Sequence, residues 1–345
     1  MRWLELVIAL GVILAGAELF TNGVEWVGEG YGLSEGAVGS VLAAIGTALP
    51  ETIVPIVAVL SGHATGDEIG IGAILGAPFM ISTLAMAILG LVVVISSARG
   101  RRSRTLEHDG GVLAQDLAFF LAMYALATLA GLVHLRPLNW GLAAGLIVGY
   151  GLYVRRHFRG PGEKELEAEA TGEVRPLHLL RIGGNLLHWK ESPGAPSVPT
   201  SVGQTLLRLA VILIGARVFV SGATQLASDL HVSHLAFALL VAPVATELPE
   251  ASNSSVIWAR RGKDTLALGN LTGAMVFQSV FPVSVGLLFT PWRLQGDALV
   301  AAVVALVASV VLLVTAKVRG RLVAPLLILQ GAFYVGYVVF VLRTI

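Results

Sequence analysis

Two short stretches place carboxylates where an apolar chain would ordinarily have none. They are Gly46-Thr47-Ala48-Leu49-Pro50-Glu51-Thr52 and Ala245-Thr246-Glu247-Leu248-Pro249-Glu250-Ala251, each inside a long apolar segment. A charged acid at the centre of a membrane helix costs roughly 2.5–3.5 kcal/mol on insertion scales. Proline removes a helix hydrogen bond and frees a carbonyl. A chain that accepts both, twice and in matching places, points to a compensating function. A cation site would supply one. Two carboxylates alone in hydrocarbon repel and take up protons, and a divalent cation between them removes that repulsion. Calcium prefers carboxylate and carbonyl oxygens. Thr47 and Thr246 each lie four residues before a motif glutamate, on the same helical face. Their hydroxyls and the carbonyls freed by Pro50 and Pro249 are candidate neutral ligands, and Glu247 offers another acid near that face. The competing reading is a set of buried, protonated acids that only hydrogen-bond between helices.

The elements that must hold these residues are membrane helices. Of 345 residues, 55% are hydrophobic and 13% charged, against about 25% charged in a soluble domain. That balance is a polytopic membrane protein, its expected partners the lipid bilayer and the transported ions, with no nucleic acid. There is no cysteine, which excludes disulfides, thiolate metal sites and cysteine nucleophiles. Spanning a bilayer takes about 20 apolar residues. Ten candidates stand at about 3–27, 35–61, 69–97, 112–133, 139–156, 203–228, 234–259, 265–290, 296–316 and 322–343. The first is too long for a signal peptide, carries Glu5 and Glu18, and lacks a basic leading region. It reads as a membrane helix. Residues 159–200 are polar and rich in Gly and Pro, the composition of a linker. Within it, Leu177 to Lys190 could form an amphipathic surface helix or a solvated loop.

The two halves repeat. Val12-Ile13-Leu14 returns as Val211-Ile212-Leu213, Gly16-Ala17 as Gly215-Ala216, Gly23 as Gly222, and Leu49-Pro50-Glu51 as Leu248-Pro249-Glu250, all at one offset. After a two-residue deletion, Gly72 matches Gly269 and Gly76-Ala77 matches Gly273-Ala274. The expected fold is therefore all-α, with ten transmembrane helices in two inverted five-helix repeats and broken helices at the midplane. The first repeat is 1–158, the linker 159–200 and the second repeat 201–345. An odd helix number per unit forces opposite orientations. Loop charges agree: Ser61 to Glu68 carries no Lys or Arg, whereas its counterpart is Arg260-Arg261-Gly262-Lys263. Arg99, Arg101, Arg102 and Arg104 follow the third helix, Arg155, Arg156 and Arg159 the fifth, and Lys317, Arg319 and Arg321 the ninth. The positive-inside rule then places both termini outside and the linker in the cytoplasm, in the cell (inner) membrane. Inverted repeats with broken helices at the midplane are a secondary-transporter architecture.

Both motifs resemble the alpha-repeats of the cation/calcium exchanger superfamily, whose pattern is G-T-S-L-P-E followed by a small-residue segment. Here that segment is Gly72 to Pro78 in one copy and Gly269 to Met275 in the other. The resemblance covers everything but the linker. It implies alternating-access antiport, with calcium held by Glu51 and Glu250 and no bound cofactor. The family's motif serine is replaced by Ala48 and Glu247, and its later Asn or Asp position by Pro78 and Met275. In sodium-coupled relatives those positions help build ion sites, so the counter-ion is sodium or a proton, with Glu247 a candidate proton carrier.

Other function classes fit less well. The alternatives are an antiporter for another cation, an intramembrane enzyme with paired acids, and a passive channel. The acids are Glu and the motifs are not of G-x-G-D type, which argues against an intramembrane protease. His134 is the only histidine near a membrane interior, which makes a zinc or histidine active site poor. Glu18 and Arg217 occupy equivalent positions and read as structural or gating groups, because a guanidinium cannot ligate a cation. Ser82, Ser252, Asn253, Gln278 and Ser279 could line a pathway, and each reads first as an interhelical hydrogen bond.

Overall fold

The computed structural model describes residues 2–30, 49–107, 110–133, 135–157 and 198–344. Thr47, His134 and the expected linker lie outside these, except for 198–200, which open a helix. The described helices are α1 (Arg2–Gly30), α2 (Leu49–Val59), α3 (Ala64–Met80), α4 (Met86–Ala98), α5 (Gly110–Val133), α6 (Arg136–His157), α7 (Val198–Asp229), α8 (His234–Arg260), α9 (Asp264–Gln278), α10 (Phe281–Phe289), α11 (Asp297–Arg319) and α12 (Ala324–Thr344). A π-helical turn, Ile81–Ala85, joins α3 to α4. Among the described residues, six stretches are long and apolar enough to cross a membrane: Ala64–Ala98, Gly110–Val133, Pro199–Asp229, Asp264–Phe289, Asp297–Val318 and Ala324–Arg343.

Local chemistry sets several ends. The Ser233 hydroxyl accepts from the Ala236 N–H at 3.1 Å and caps α8. Gly320, at φ 62°, closes α11 in the left-handed conformation that glycine adopts without steric cost. The only strands among the described residues form a two-residue antiparallel pair, β1 (Thr105–Leu106) with β2 (Leu322–Val323).

The chain packs as two compact units, residues 1–53 with 155–222, and residues 54–154 with 223–345. In the first, α1 lies against α7 through reciprocal contacts. A Cβ at Gly16 would sit 2.7 Å from Ile212 Cγ1, and one at Gly215 would sit 3.0 Å from Ile13 Cγ1. A Cβ at Gly23 would meet the Thr205 hydroxyl at 2.5 Å, and one at Gly222 would meet Leu6 Cδ2 at 3.1 Å. These contacts are repeat mates of each other. As the number rises along α1 it falls along α7, so the two helices run antiparallel. The opposite orientation expected from an odd helix count is thus visible in side-chain packing.

In the second unit, α3 and α8 run parallel at close range. A Cβ at Gly72 would collide with the Leu235 carbonyl, and one at Gly76 with the Leu239 carbonyl. Glycine is what lets the two backbones approach, as in other membrane helix pairs. The buried core around them takes Phe79, Phe120, Tyr124, Trp292 and Tyr337. Phe79 stacks on Tyr334 with ring centroids 5.4 Å apart. The Trp292 indole N–H donates to the Ala127 carbonyl at 3.0 Å, so its polar edge is satisfied.

The helix irregularities fall in the third and eighth expected spans. One is the π turn at Ile81–Ala85; the other is the break between α9 and α10 at Ser279–Val280. These positions correspond under the repeat. Pro249, expected to free a carbonyl, lies within α8, which continues to Arg260.

Candidate cation site

In the first unit, Pro50 and Glu51 open the described part of α2, and both are buried, Glu51 to 7% exposure. Thr47 precedes the described residues. In the second unit, α8 carries the other motif. Its Thr246 is buried, and the hydroxyl donates to the Ala242 carbonyl at 3.1 Å. That spends its hydrogen one turn back in the helix and leaves its oxygen an acceptor. Glu250 lies on α8, and its side chain is outside the description.

Glu247 is 6% exposed, and its Oε2 accepts a hydrogen bond from the Gln278 side-chain amide at 3.2 Å. Gln278 is the last residue of α9, at the break before α10. Its own amide oxygen is buried and accepts from no described residue. A buried carboxyl group beside a buried amide oxygen makes an oxygen-rich pair of the kind a cation satisfies. The sequence raised Gln278 as a pathway or interhelical residue; the structure makes it a partner of Glu247. Among the described residues, no three acids or histidines gather around a single point.

Ser82 and Ser279 are buried and donate to carbonyls three residues back, Phe79 O at 3.1 Å and Val276 O at 2.7 Å. Arg217 is exposed. The side chains of Glu18, Ser252 and Asn253 lie outside the description. Sequence reasoning missed the buried acid of α5. Asp116 on α5, 2% exposed, accepts from Tyr153 Oη of α6 and Thr272 Oγ1 of α9, each at 2.6 Å. Such lengths are those of charge-assisted O–H···O bonds. An acid inside the apolar run 112–133 was the available signal.

A family model described as sodium/calcium exchanger protein matches residues 2–158 and 200–343. The inner membrane protein YrbG of Escherichia coli (strain K12) is 24% identical over 290 residues, 84% of this chain and 80% of that protein. Among solved structures, the H+/Ca2+ exchanger CAX superposes with a TM-score of 0.69 at 13% identity, covering 99% of this chain and 86% of that one. The sodium-calcium exchanger NCX_Mj superposes at 0.54 with 22% identity, covering 98% and 97%. The structural likeness shows the fold, a polytopic helical membrane protein of exchanger type. With nearly the whole chain matched by one family model, this protein belongs to the sodium/calcium exchanger protein family.

Proposed function

We propose that the chain is a secondary active antiporter that exports calcium from the cell by alternating access, in exchange for sodium or protons. Glu51, Glu250 and Glu247 supply the carboxylate ligands, and Thr47 and Thr246 the neutral oxygens. The observation that carries this reading is the buried pair of Glu247 and Gln278, joined by a hydrogen bond and with the Gln278 amide oxygen buried, on the two helices that bear the second repeat's motif segments. Family membership, the buried Glu51 and the antiparallel α1–α7 pair support it. The exchangers CAX and NCX_Mj are named for calcium with protons and with sodium respectively, which frames the counter-ion as one of those two. In this reading both termini face outside, the loops bearing Arg99 to Arg104 and Arg260 to Lys263 face the cytoplasm, and the bilayer is the inner membrane.

The test is calcium-45 uptake by the purified protein in liposomes. An outward sodium gradient and an outward proton gradient are imposed separately. One of them should drive accumulation above the equilibrium level. Uptake that only follows calcium's own gradient would make the protein a channel, and no calcium movement at all would overturn the reading.

A further inference from the structure

The loop between α4 and α5 contains a guanidinium whose hydrogen-bonding capacity is fully used. Arg102 Nε donates to the Ser103 carbonyl at 3.1 Å. One terminal nitrogen donates to the Ala259 carbonyl and to Asp264 Oδ1, the latter at 2.6 Å. The other donates to the Thr105 carbonyl at 3.3 Å and to Asp264 Oδ2 at 2.6 Å. A guanidinium has five N–H groups in a fixed planar fork, and here each has an acceptor. Asp264 Oδ2 also accepts from the Glu107 backbone N–H at 2.9 Å. The two side chains are 7% and 3% exposed. This is a buried bidentate pair, unlike a surface ion pair of little consequence.

Its attachment points matter. Ala259 is in the last turn of α8, and Asp264 is the first residue of α9. A cation at a helix C-terminus and an anion at a helix N-terminus both sit where the helix dipole favours them. The pair therefore grips the closed end of the α8–α9 hairpin from outside it. Farther along, the Ser255 hydroxyl donates to the Ala267 carbonyl at 3.1 Å, and the Asn270 amide donates to Ser255 at 3.2 Å. Farther still, Gln278 meets Glu247. At 1.5 Å per residue, about 18 Å of α8 and about 21 Å of α9 separate the gripped end from that meeting point. Each contact along the hairpin exists only in one register of α8 against α9. The loop holding Arg102 is itself tied down, by the β1–β2 pair and by the Ala324 N–H to Arg104 carbonyl bond at 3.0 Å.

We infer that Arg102 is a positioning residue for cation binding: its pairing with Asp264 sets the register of α8 against α9, and through it the alignment of Glu247 with Gln278. The inference rests on the proposed transport function for its consequence, while the register itself is independent of it.

Two measurements test it on the full chain. The first is calcium-45 uptake against calcium concentration for Arg102→Lys and for the double variant R102Q/D264N. Lysine keeps the charge but cannot fill the planar fork, and the double variant leaves no charge buried alone, so both should fold. We expect the half-saturating calcium to rise about tenfold, within the range for coupled polar pairs, with the maximal rate changed less than about twofold. A lost maximal rate at unchanged half-saturation, or no change in either, overturns the inference. The second measurement needs no transport. The chain has no cysteine, so spin labels can be placed cleanly at Ile257 of α8 and Phe289 of α10, both exposed. Their distance distribution should be narrow in the wild type and shifted or broadened in both variants. Superimposable distributions overturn the inference whatever the uptake shows. A wild type that moves no calcium would overturn the proposed function, and the label distances would still decide the role of Arg102.

Discussion

The third expected span and its repeat mate, the eighth, leave regular helix at corresponding places by different means. In the first copy, α3 passes into α4 through the π turn at Ile81–Ala85. In the second, α9 stops at Gln278 and α10 begins at Phe281, with Pro282 in its first turn. One copy keeps a wound backbone and the other breaks it. The side chains differ in the same direction. Gln278 is the mate of Ile81, Glu247 of Ala48, and Thr272 of Leu75. Where the second copy has a buried acid with an amide partner, the first has two apolar residues. Where the second copy bonds Asp116 through a hydroxyl, the first has leucine. The duplication has kept the backbone irregularity and concentrated the polar chemistry in one copy. A π turn or a break inside a membrane helix leaves backbone groups to be satisfied by neighbours or by a lined cavity, so both copies retain the irregular backbone while only one needs the added side chains.

The largest effect should come from the residues in which the copies still agree. Glu51→Gln and Glu250→Gln keep size and lose charge. Removing one partner of a buried charge interaction costs about 3–5 kcal/mol, which is a loss of over about 100-fold in calcium exchange. Flux in liposomes, with size-exclusion behaviour unchanged, would show it. Wild-type flux in both variants would mean that the shared glutamates are not the ligands.

The copies' disagreement is probed next. Glu247→Gln should raise half-saturating calcium less than a change at either shared glutamate does, and should flatten the dependence of exchange on pH, because it removes the one titratable group that the first copy lacks at this place. Giving the second copy the first copy's pair, with E247A and Q278I together, should cost less than the sum of the single changes. Each single change leaves the other polar group buried without its partner, and the double change leaves neither. The single and double effects on half-saturating calcium should differ by roughly tenfold. Additive effects would show that the two residues act separately.

Much of this was legible in the sequence. The expected spans at 112–133, 234–259 and 296–316 became α5 at Gly110–Val133, α8 at His234–Arg260 and α11 at Asp297–Arg319. Apolar run length fixes such helices because every backbone group in a bilayer must be satisfied within the helix. The repeat also shows between the first helices of the two halves, where the reciprocal contacts of Gly16 and Gly215 are its physical expression. Proline marks freed carbonyls, and α8 runs on as helix through Pro249; the irregularities lie in the third and eighth spans instead. Arg102 read as one of several charges that orient the loops, because nothing local distinguishes it from Arg101 or Arg104. Its partner Asp264 is remote in the chain, and only the fold brings them together. Asp116 was overlooked for the same reason, since its donors come from two other helices.

A fourth prediction moves from function to stability. Thr272→Leu places the first copy's residue in the second copy and removes a hydroxyl from Asp116 Oδ2. An acceptor left short of a donor in a buried place costs about 1–3 kcal/mol. The thermal midpoint of the purified protein should fall, and Thr272→Ser, which keeps the hydroxyl, should restore most of it. An unchanged midpoint for Thr272→Leu would show that Asp116 does not depend on that bond.

The smallest effects should come from the part of the molecule where the copies are most alike. Gly16→Ala on α1 adds a methyl 2.7 Å from Ile212 Cγ1, and Gly215→Ala on α7 adds one 3.0 Å from Ile13 Cγ1. Both new atoms meet side chains, which can give way, whereas a Cβ at Gly76 would meet the Leu239 carbonyl of a packed backbone. Overpacking costs of about 1–3 kcal/mol are typical in well-packed cores. The two α1–α7 variants should fall at the low end of that range and close to each other, and Gly76→Ala should lie above both. Relief should also be reciprocal. Ile212→Ala should offset Gly16→Ala, and Ile13→Ala should offset Gly215→Ala, because each removes the atom the new methyl strikes. Thermal midpoints of the four single and two double variants would measure this. Near-equal single effects with matched relief would establish that the α1–α7 crossing is energetically two-fold. Unequal effects, or relief at one crossing only, would mean that the lopsidedness seen in α3 and α9 extends to the helices whose contacts look symmetric.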